Sequence, residues 1–309
     1  MAVSDSRATD LALSARTFLA QHDLHPDPDT YLAHGYVNLC LRAWPGATGA
    51  PLHLATQWAL WTWLADDVLD TELRDAPRKE VSQLVGQLVD VLYEDEQPHL
   101  GDHPTVRALA DLVVWTQTTM PGDWWVRYRE QLEVWLHAAA DKLLSYVQPA
   151  RTPTLREYLA LRPADGGMVL AAMWCELAHQ CITPDWSTPL VQSLLRSFSM
   201  CGILANDLAA GPGDTFTAVA ALVRTAGLTV GVARERVQEL LRAEEFRYWW
   251  LYTAAREMAD APQSAAETGD VVLDASRFAL HLDRFRRALA EWTAASSRYV
   301  LAAPAEPAP

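Results

Sequence analysis

The chain has 309 residues, half of them hydrophobic, which is enough to bury a sizeable core. A formal charge of −14 with only two lysines, Lys79 and Lys142, excludes nucleic acid or an anionic membrane surface as the main partner, because both are bound through basic patches. An anionic ligand would have to be met by a metal ion or by a few focused arginines.

The first ten residues lack the basic-then-apolar layout of a signal peptide, and no run reaches ~18 uninterrupted apolar residues. The expectation is a cytoplasmic protein with no stable membrane insertion. The four cysteines, Cys40, Cys175, Cys181 and Cys201, match neither a zinc spacing nor a compact disulfide framework and read as reduced, packed thiols. Thirteen tryptophans suit a large core and also a greasy cavity that tolerates positive charge.

Apolar residues recur at helical spacing along nearly the whole chain, with no strand-like alternation, so the fold class is all-α. Breaks at 44–51, 95–104, 121–122, 183–184, 211–213 and 260–269 divide it into roughly ten or more helices. No long linker or fixed repeat separates domains.

The first chemical signal is Trp58-Ala-Leu-Trp61-Thr-Trp63-Leu-Ala-Asp66-Asp67-Val-Leu-Asp70. On a helix, Asp66 and Asp70 share one face with Asp67 at its edge, and Trp63 lies on nearly the same face. Three hard-oxygen acids at the rim of an aromatic helix suit Mg²⁺, which binds through one or two carboxylates while a substrate phosphate completes its shell. A solvated helix end is the alternative for the acids alone.

Further along, Thr154-Leu-Arg-Glu157 is a capping box that opens a helix. That helix meets Arg162-Pro163-Ala-Asp165-Gly166-Gly167, where the proline and paired glycines predict a kink or opening. Arg162 there can grip diphosphate oxygens bidentately or form an ordinary pair with Asp165. The run Phe198 to Ala205 reads as a buried helix and delivers Asn206-Asp-Leu-Ala-Ala210-Gly-Pro-Gly-Asp214, in which Asn206 and Asp214 carry oxygens for a second metal site or form a helix end and turn. In the segment 276–300, Leu282, Phe285, Leu289 and Trp292 form one apolar stripe, followed by Arg298-Tyr299. The tail 301–309 cannot continue a helix and is expected to be disordered.

Taken together these residues resemble the bacterial class I terpene synthases over roughly residues 30 to 300. Asp66-Asp67-Val-Leu-Asp70 is similar to the family's aspartate-rich motif, and Asn206 to Asp214 to its Asn-Asp-x-x-Ser-x-x-x-Glu motif. Arg162, Asp165 and Gly166 resemble the diphosphate sensor, linker and effector, and Arg298-Tyr299 the C-terminal pair. The second motif departs from the pattern: Ala210 replaces the hydroxyl ligand, Asp214 is one methylene shorter than Glu, and Gly211-Pro-Gly213 interrupts the helix.

The resemblance implies a single helical domain around an apolar cavity at 21–300, after a variable segment 1–20. It further implies three Mg²⁺, with Mn²⁺ as an alternative, and a Mg-dependent cyclase acting on a linear isoprenyl diphosphate, and it leaves a homodimer open. Trp63, Trp174, Ala59 and Gly167 are the expected lining of the substrate cavity. Geranylgeranyl diphosphate is the preferred substrate over farnesyl diphosphate, because the presumed lining (with Gly166, Ala171, Ala172, Gly202 and Ala205) is rich in small residues. The rival functions are a chain-elongating prenyltransferase, which would carry a second aspartate-rich motif, and a non-catalytic helical protein that binds an apolar ligand.

Overall fold

The structure is a computed structural model that describes residues 2–93, 98–99, 101–183, 185–211, 213–260 and 266–300. Among the described residues there are fourteen α-helices and no strand. In chain order they are α1 (Ala2–Gln21), α2 (Pro28–Leu32), α3 (Tyr36–Ala43), α4 (Gly49–Asp67), α5 (Arg78–Tyr93), α6 (Pro104–Thr119), α7 (Gly122–Lys142), α8 (Leu155–Asp165), α9 (Met168–His179), α10 (Pro189–Ala209), α11 (Ala218–Ala226), α12 (Val230–Asp260), α13 (Ala266–Ala295) and α14 (Ser297–Val300). Two single π-helical turns continue α4 and α7, at Val68–Glu72 and Leu143–Val147. The tail 301–309 lies outside the described residues, as does part of each break expected at 95–104 and 260–269.

The centre of the fold is built from helices apolar on every side, as burial on all faces requires. In α4, Trp58, Ala59, Leu60 and Trp61 are all fully buried, and the two indoles donate to Thr116 Oγ1 and to the Thr105 carbonyl, each at 2.8 Å. Ten of the twelve residues of α9 are buried, and α9 packs on α4. Helix α10 starts at Thr188, whose hydroxyl accepts from the Val191 N–H, and Pro189 stands at the first helical position, where a missing N–H costs nothing. It packs against both α12 and α13.

The capping box is present: Thr154 and Glu157 exchange hydrogen bonds at the start of α8. The break expected at Pro163 and the paired glycines falls at the glycines. Pro163 sits inside α8, and the chain turns at Gly166 and Gly167, the latter with φ +64°. A Cβ on Gly166 would come within 2.7 Å of Ile203 Cγ1, so α10 sets how close this turn approaches. The stripe of the last long helix also holds, with Leu282, Phe285 and Trp292 buried. That helix ends at Ala295, however, and Arg298 and Tyr299 belong to the separate short α14.

Among the described residues no helix is long and apolar enough to cross a membrane. None of the four cysteines is in a disulfide, and burial pushes the thiols of Cys40 and Cys201 up to about 12.

Candidate active site

Two adjoining hollows lie at the end of the helical core where α4 stops. The inner one is an aromatic cavity of about 120 Å³ walled by Trp63, Trp135, Trp174, Phe285 and Trp292. The outer one is a polar chamber of about 380 Å³ whose wall includes Asp70, Lys142 and Asp214. Asp66, Arg162, Asn206, Arg298 and Tyr299 face both hollows and form the partition between them.

The aromatic wall is one connected stack. Trp63 lies 4.9 Å from Tyr36, 5.4 Å from Trp292 and 6.1 Å from Trp174, ring centre to ring centre. Trp174 is fixed by its N–H, which donates to the Tyr128 hydroxyl at 2.9 Å. Gly167 also lines the cavity, where its positive φ favours glycine. Ala59, expected in this wall, is fully buried in the core instead and does not line the cavity. Of the other small residues, Gly166, Ala171 and Gly202 line it, and Ala172 and Ala205 do not.

The polar chamber is organised by three cations and five acids. Lys142, the last residue of α7, is 6% exposed, and its ammonium lies 3.3 Å from Asp66 Oδ1, 2.9 Å from Asp70 Oδ2 and 3.2 Å from Asp165 Oδ1. Burial alone would weaken this charge, but Asp165, Asp66 and Asp70 more than restore it and raise the lysine pKa well above the usual range. The same network splits the two aspartates. Burial opposes the charge of Asp66, yet Lys142, Arg298 and Arg162 together hold its pKa below the ordinary carboxylate value. For Asp70 burial wins, aided by the negative charge of Asp66, and its pKa rises to about 7.

Arg162 donates to Asp165 Oδ2 at 2.6 Å, to Asn206 Oδ1 at 2.9 Å and to Asp207 Oδ1 at 3.1 Å. Burial disfavours its charge, and Asp207, Asp165 and Tyr158 overcome that and raise its pKa. Asp207 is 2% exposed and accepts on its other oxygen from the Tyr158 hydroxyl and the Ala218 N–H, both at 2.6 Å. It therefore backs Arg162 from within the core. Asn206 donates in turn to the Tyr299 hydroxyl at 2.8 Å.

Asp67 does not join Asp66 and Asp70. It forms a two-pronged pair with Arg298, whose Nη1 and Nη2 donate to its two oxygens at 2.9 and 2.6 Å, and it accepts from the Tyr31 hydroxyl at 3.3 Å. Arg298 also donates to the Tyr36 hydroxyl at 3.0 Å. Asp67, expected as a metal ligand beside Asp66 and Asp70, is instead the anchor of α14 on α4.

Asp214 is likewise displaced from the expected geometry. Helix α10 ends at Ala209, and Asp214 stands on the following loop, where its carboxylate accepts from the Phe216 N–H at 2.9 Å. The loop still brings it to the wall of the polar chamber.

The donor set fits a divalent cation on the first helix. Asp66 and Asp70 present hard oxygens into one chamber, and Asp70 Oδ1 is shielded from solvent without a hydrogen-bond partner. Among the described residues no three His, Cys, Asp or Glu side chains form a cage by themselves.

Sequence reasoning missed Lys142, Asp207 and Tyr158. Asp207 was visible beside Asn206, but nothing in the sequence indicated that it faces the arginine. Lys142 had one signal, its rarity in a chain with two lysines.

The sequence model of the family described as terpene synthase family 2, C-terminal metal binding, matches residues 57–246. Pristinol synthase of Streptomyces pristinaespiralis is 25% identical over 276 residues, covering 83% of this chain and 70% of that protein. Bonnadiene synthase of Allokutzneria albata is 25% identical over 272 residues, 84% and 72% of the two chains. The crystal structure of linalool/nerolidol synthase from Streptomyces clavuligerus in complex with 2-fluorogeranyl diphosphate superposes with a TM-score of 0.79 at 20% identity, covering 93% of this chain and 98% of that one.

Proposed function

Because the chain belongs to terpene synthase family 2 and is thereby a class I terpene cyclase, a lyase, we propose that it ionises farnesyl diphosphate and cyclises the resulting allylic cation. One observation carries this reading: the acids, arginines and tyrosine that suit a metal-bound diphosphate form the partition to an aromatic cavity. The diphosphate occupies the polar chamber and the isoprenoid tail the aromatic one. Asp66, Asp70 and Asn206 would hold Mg²⁺, which when bound would supply Lewis-acid neutralisation of the departing diphosphate.

Arg162, Arg298 and the Tyr299 hydroxyl direct N–H and O–H groups at the oxygens on which charge develops, with their positions fixed in advance by Asp165, Asp207, Asp67 and Asn206. Asp165 and Gly166 couple the arginine to the turn that opens α9. In the cavity, Trp63, Trp174 and Trp292 present electron-rich rings to the cation, each interaction worth ~2 kcal/mol or more when water is excluded. The buried wall keeps out the water that would quench the cation early.

Farnesyl diphosphate is preferred to geranylgeranyl diphosphate on the size of the cavity. At about 120 Å³ it is smaller than the roughly 300 Å³ at which ligand pockets begin, so either chain requires it to widen, and the shorter chain requires less. The likeness to a synthase bound to 2-fluorogeranyl diphosphate supports an isoprenyl diphosphate as the substrate class. Incubation with geranyl, farnesyl and geranylgeranyl diphosphate in turn, each with Mg²⁺, and mass spectrometry of the extract tests this. A cyclic C15 hydrocarbon or alcohol is the expected product; no terpene from any of the three would sink the cyclase reading, and a C20 product would sink the substrate.

A further inference from the structure

The polar chamber already contains a cation in the place where divalent ions are expected. The Lys142 ammonium has three protons and sits within 2.9–3.3 Å of one oxygen each of Asp66, Asp70 and Asp165. It stands where α7 runs on into the π-helical turn Leu143–Val147. It is also locked in. The Asp165 side chain is fully buried and shares its second oxygen with Arg162, so withdrawal of the lysine would strand a carboxylate in the core.

The second motif offers no compensation for a crowded first one. Ala210 has no side-chain ligand atom, α10 ends at Ala209, and Asp214 stands on the following loop with one carboxylate oxygen at the Phe216 N–H. Asn206 Oδ1, the ligand atom that remains in this motif, is shared with Arg162. These two independent features both reduce the number of divalent ions that the side chains can hold.

We propose that the Lys142 ammonium is a resident cation of the diphosphate chamber that takes the place of one divalent ion, so that the loaded site holds two metal ions rather than three. The inference rests on the diphosphate chemistry proposed above. Lys142 then neutralises Asp66 and Asp70 permanently and contributes a fixed charge beside the departing diphosphate. Being a compact point charge, it can turn one proton from a carboxylate to a diphosphate oxygen without moving its stem.

The test counts ions and does not depend on catalysis. The full-length protein is titrated with Mn²⁺ in the presence of inorganic diphosphate, and free Mn²⁺ is read by electron paramagnetic resonance. Two bound ions per chain are expected in the wild type, two in Lys142→Arg, and three in Lys142→Met, in which the acids regain a vacant partner. Three ions in the wild type, or fewer than two, overturn the inference, as does a folded Lys142→Met that still binds two. Should Lys142→Met fail to fold by circular dichroism, the wild-type and Lys142→Arg counts decide alone. Turnover of farnesyl diphosphate separates the two proposals: three ions with turnover removes only the role of the lysine, and two ions without turnover of any prenyl diphosphate removes only the cyclase chemistry.

Discussion

Asp207→Asn is the substitution that isolates how the core positions Arg162. The side chain keeps its shape, but one oxygen becomes an NH₂ group. Its less costly orientation leaves the oxygen on the Tyr158 hydroxyl and the Ala218 N–H, two contacts of 2.6 Å, and turns the NH₂ toward Arg162. A charged hydrogen bond worth ~1.5–3 kcal/mol is then lost, and two buried donors face each other at a further cost of ~1–3 kcal/mol. Arg162 keeps Asp165 at 2.6 Å, which limits the damage, so the expected loss of stability is about 3 kcal/mol. Urea unfolding followed by tryptophan fluorescence reads this as a lower midpoint with an unchanged slope.

The same change loosens the guanidinium that faces both hollows. Misplacement of such a group costs up to roughly 100-fold in rate, so kcat/KM for farnesyl diphosphate should fall about 10- to 100-fold under conditions where the variant remains folded. A midpoint shift equivalent to less than ~1 kcal/mol together with an unchanged kcat/KM would refute the argument that Asp207 fixes the arginine.

Glu176→Gln should cost about 3–5 kcal/mol in the same unfolding assay, because this fully buried carboxylate accepts from Trp124, Arg127, Thr183 and Trp186 at 2.7–3.0 Å and the amide can satisfy only half of them; a loss below ~1 kcal/mol would contradict the hydrogen-bond network. His179 and His281 stack at 3.8 Å between ring centres, and burial first, then the charges of Arg284 and Arg7 on one and of His179, Arg284 and Arg277 on the other, lower both pKa values to about 4. Because the folded pKa lies below the ordinary value of 6.5, the neutral pair contributes fully above about pH 6.5, and that contribution is lost as pH falls toward 4. The urea midpoint should therefore drop across that window, and His281→Phe should flatten the drop; an unaltered slope would show that the pair does not titrate with folding. Asp66→Asn, or chelation of divalent metal, should lower kcat/KM by at least about 100-fold, the several kcal/mol expected of a Lewis-acid trigger, and steady-state product formation measures it.

Legibility differed sharply between the fold and the site. The all-α class, the buried helix before Asn206, the capping box at Thr154 and the stripe from Leu282 to Trp292 were readable because each depends on local spacing, and spacing is a property of the chain. Trp63 and Trp174 line the cavity whereas Trp58 and Trp61 of the same aromatic run are buried in the core, so aromatic pattern alone does not separate wall from core. Ala59 failed because a small apolar residue fits a core and a cavity wall equally well, and only its neighbours distinguish the two.

By itself, then, the sequence determined that the protein is helical, that Asp66 and Asp70 share a helical face, and that Arg162, Asn206 and the Arg298-Tyr299 pair are candidates for one site. Only the tertiary structure decided how charges are partnered. It turned Asp67 to Arg298, placed Asp207 behind Arg162, moved Asp214 onto a loop and brought Lys142 from the end of α7 to Asp66, Asp70 and Asp165. The physical reason is range. Helical periodicity fixes neighbours three or four residues away, whereas each of these ion pairs is made or broken by packing between helices far apart in the chain, and no local pattern records which buried charge a distant helix will present.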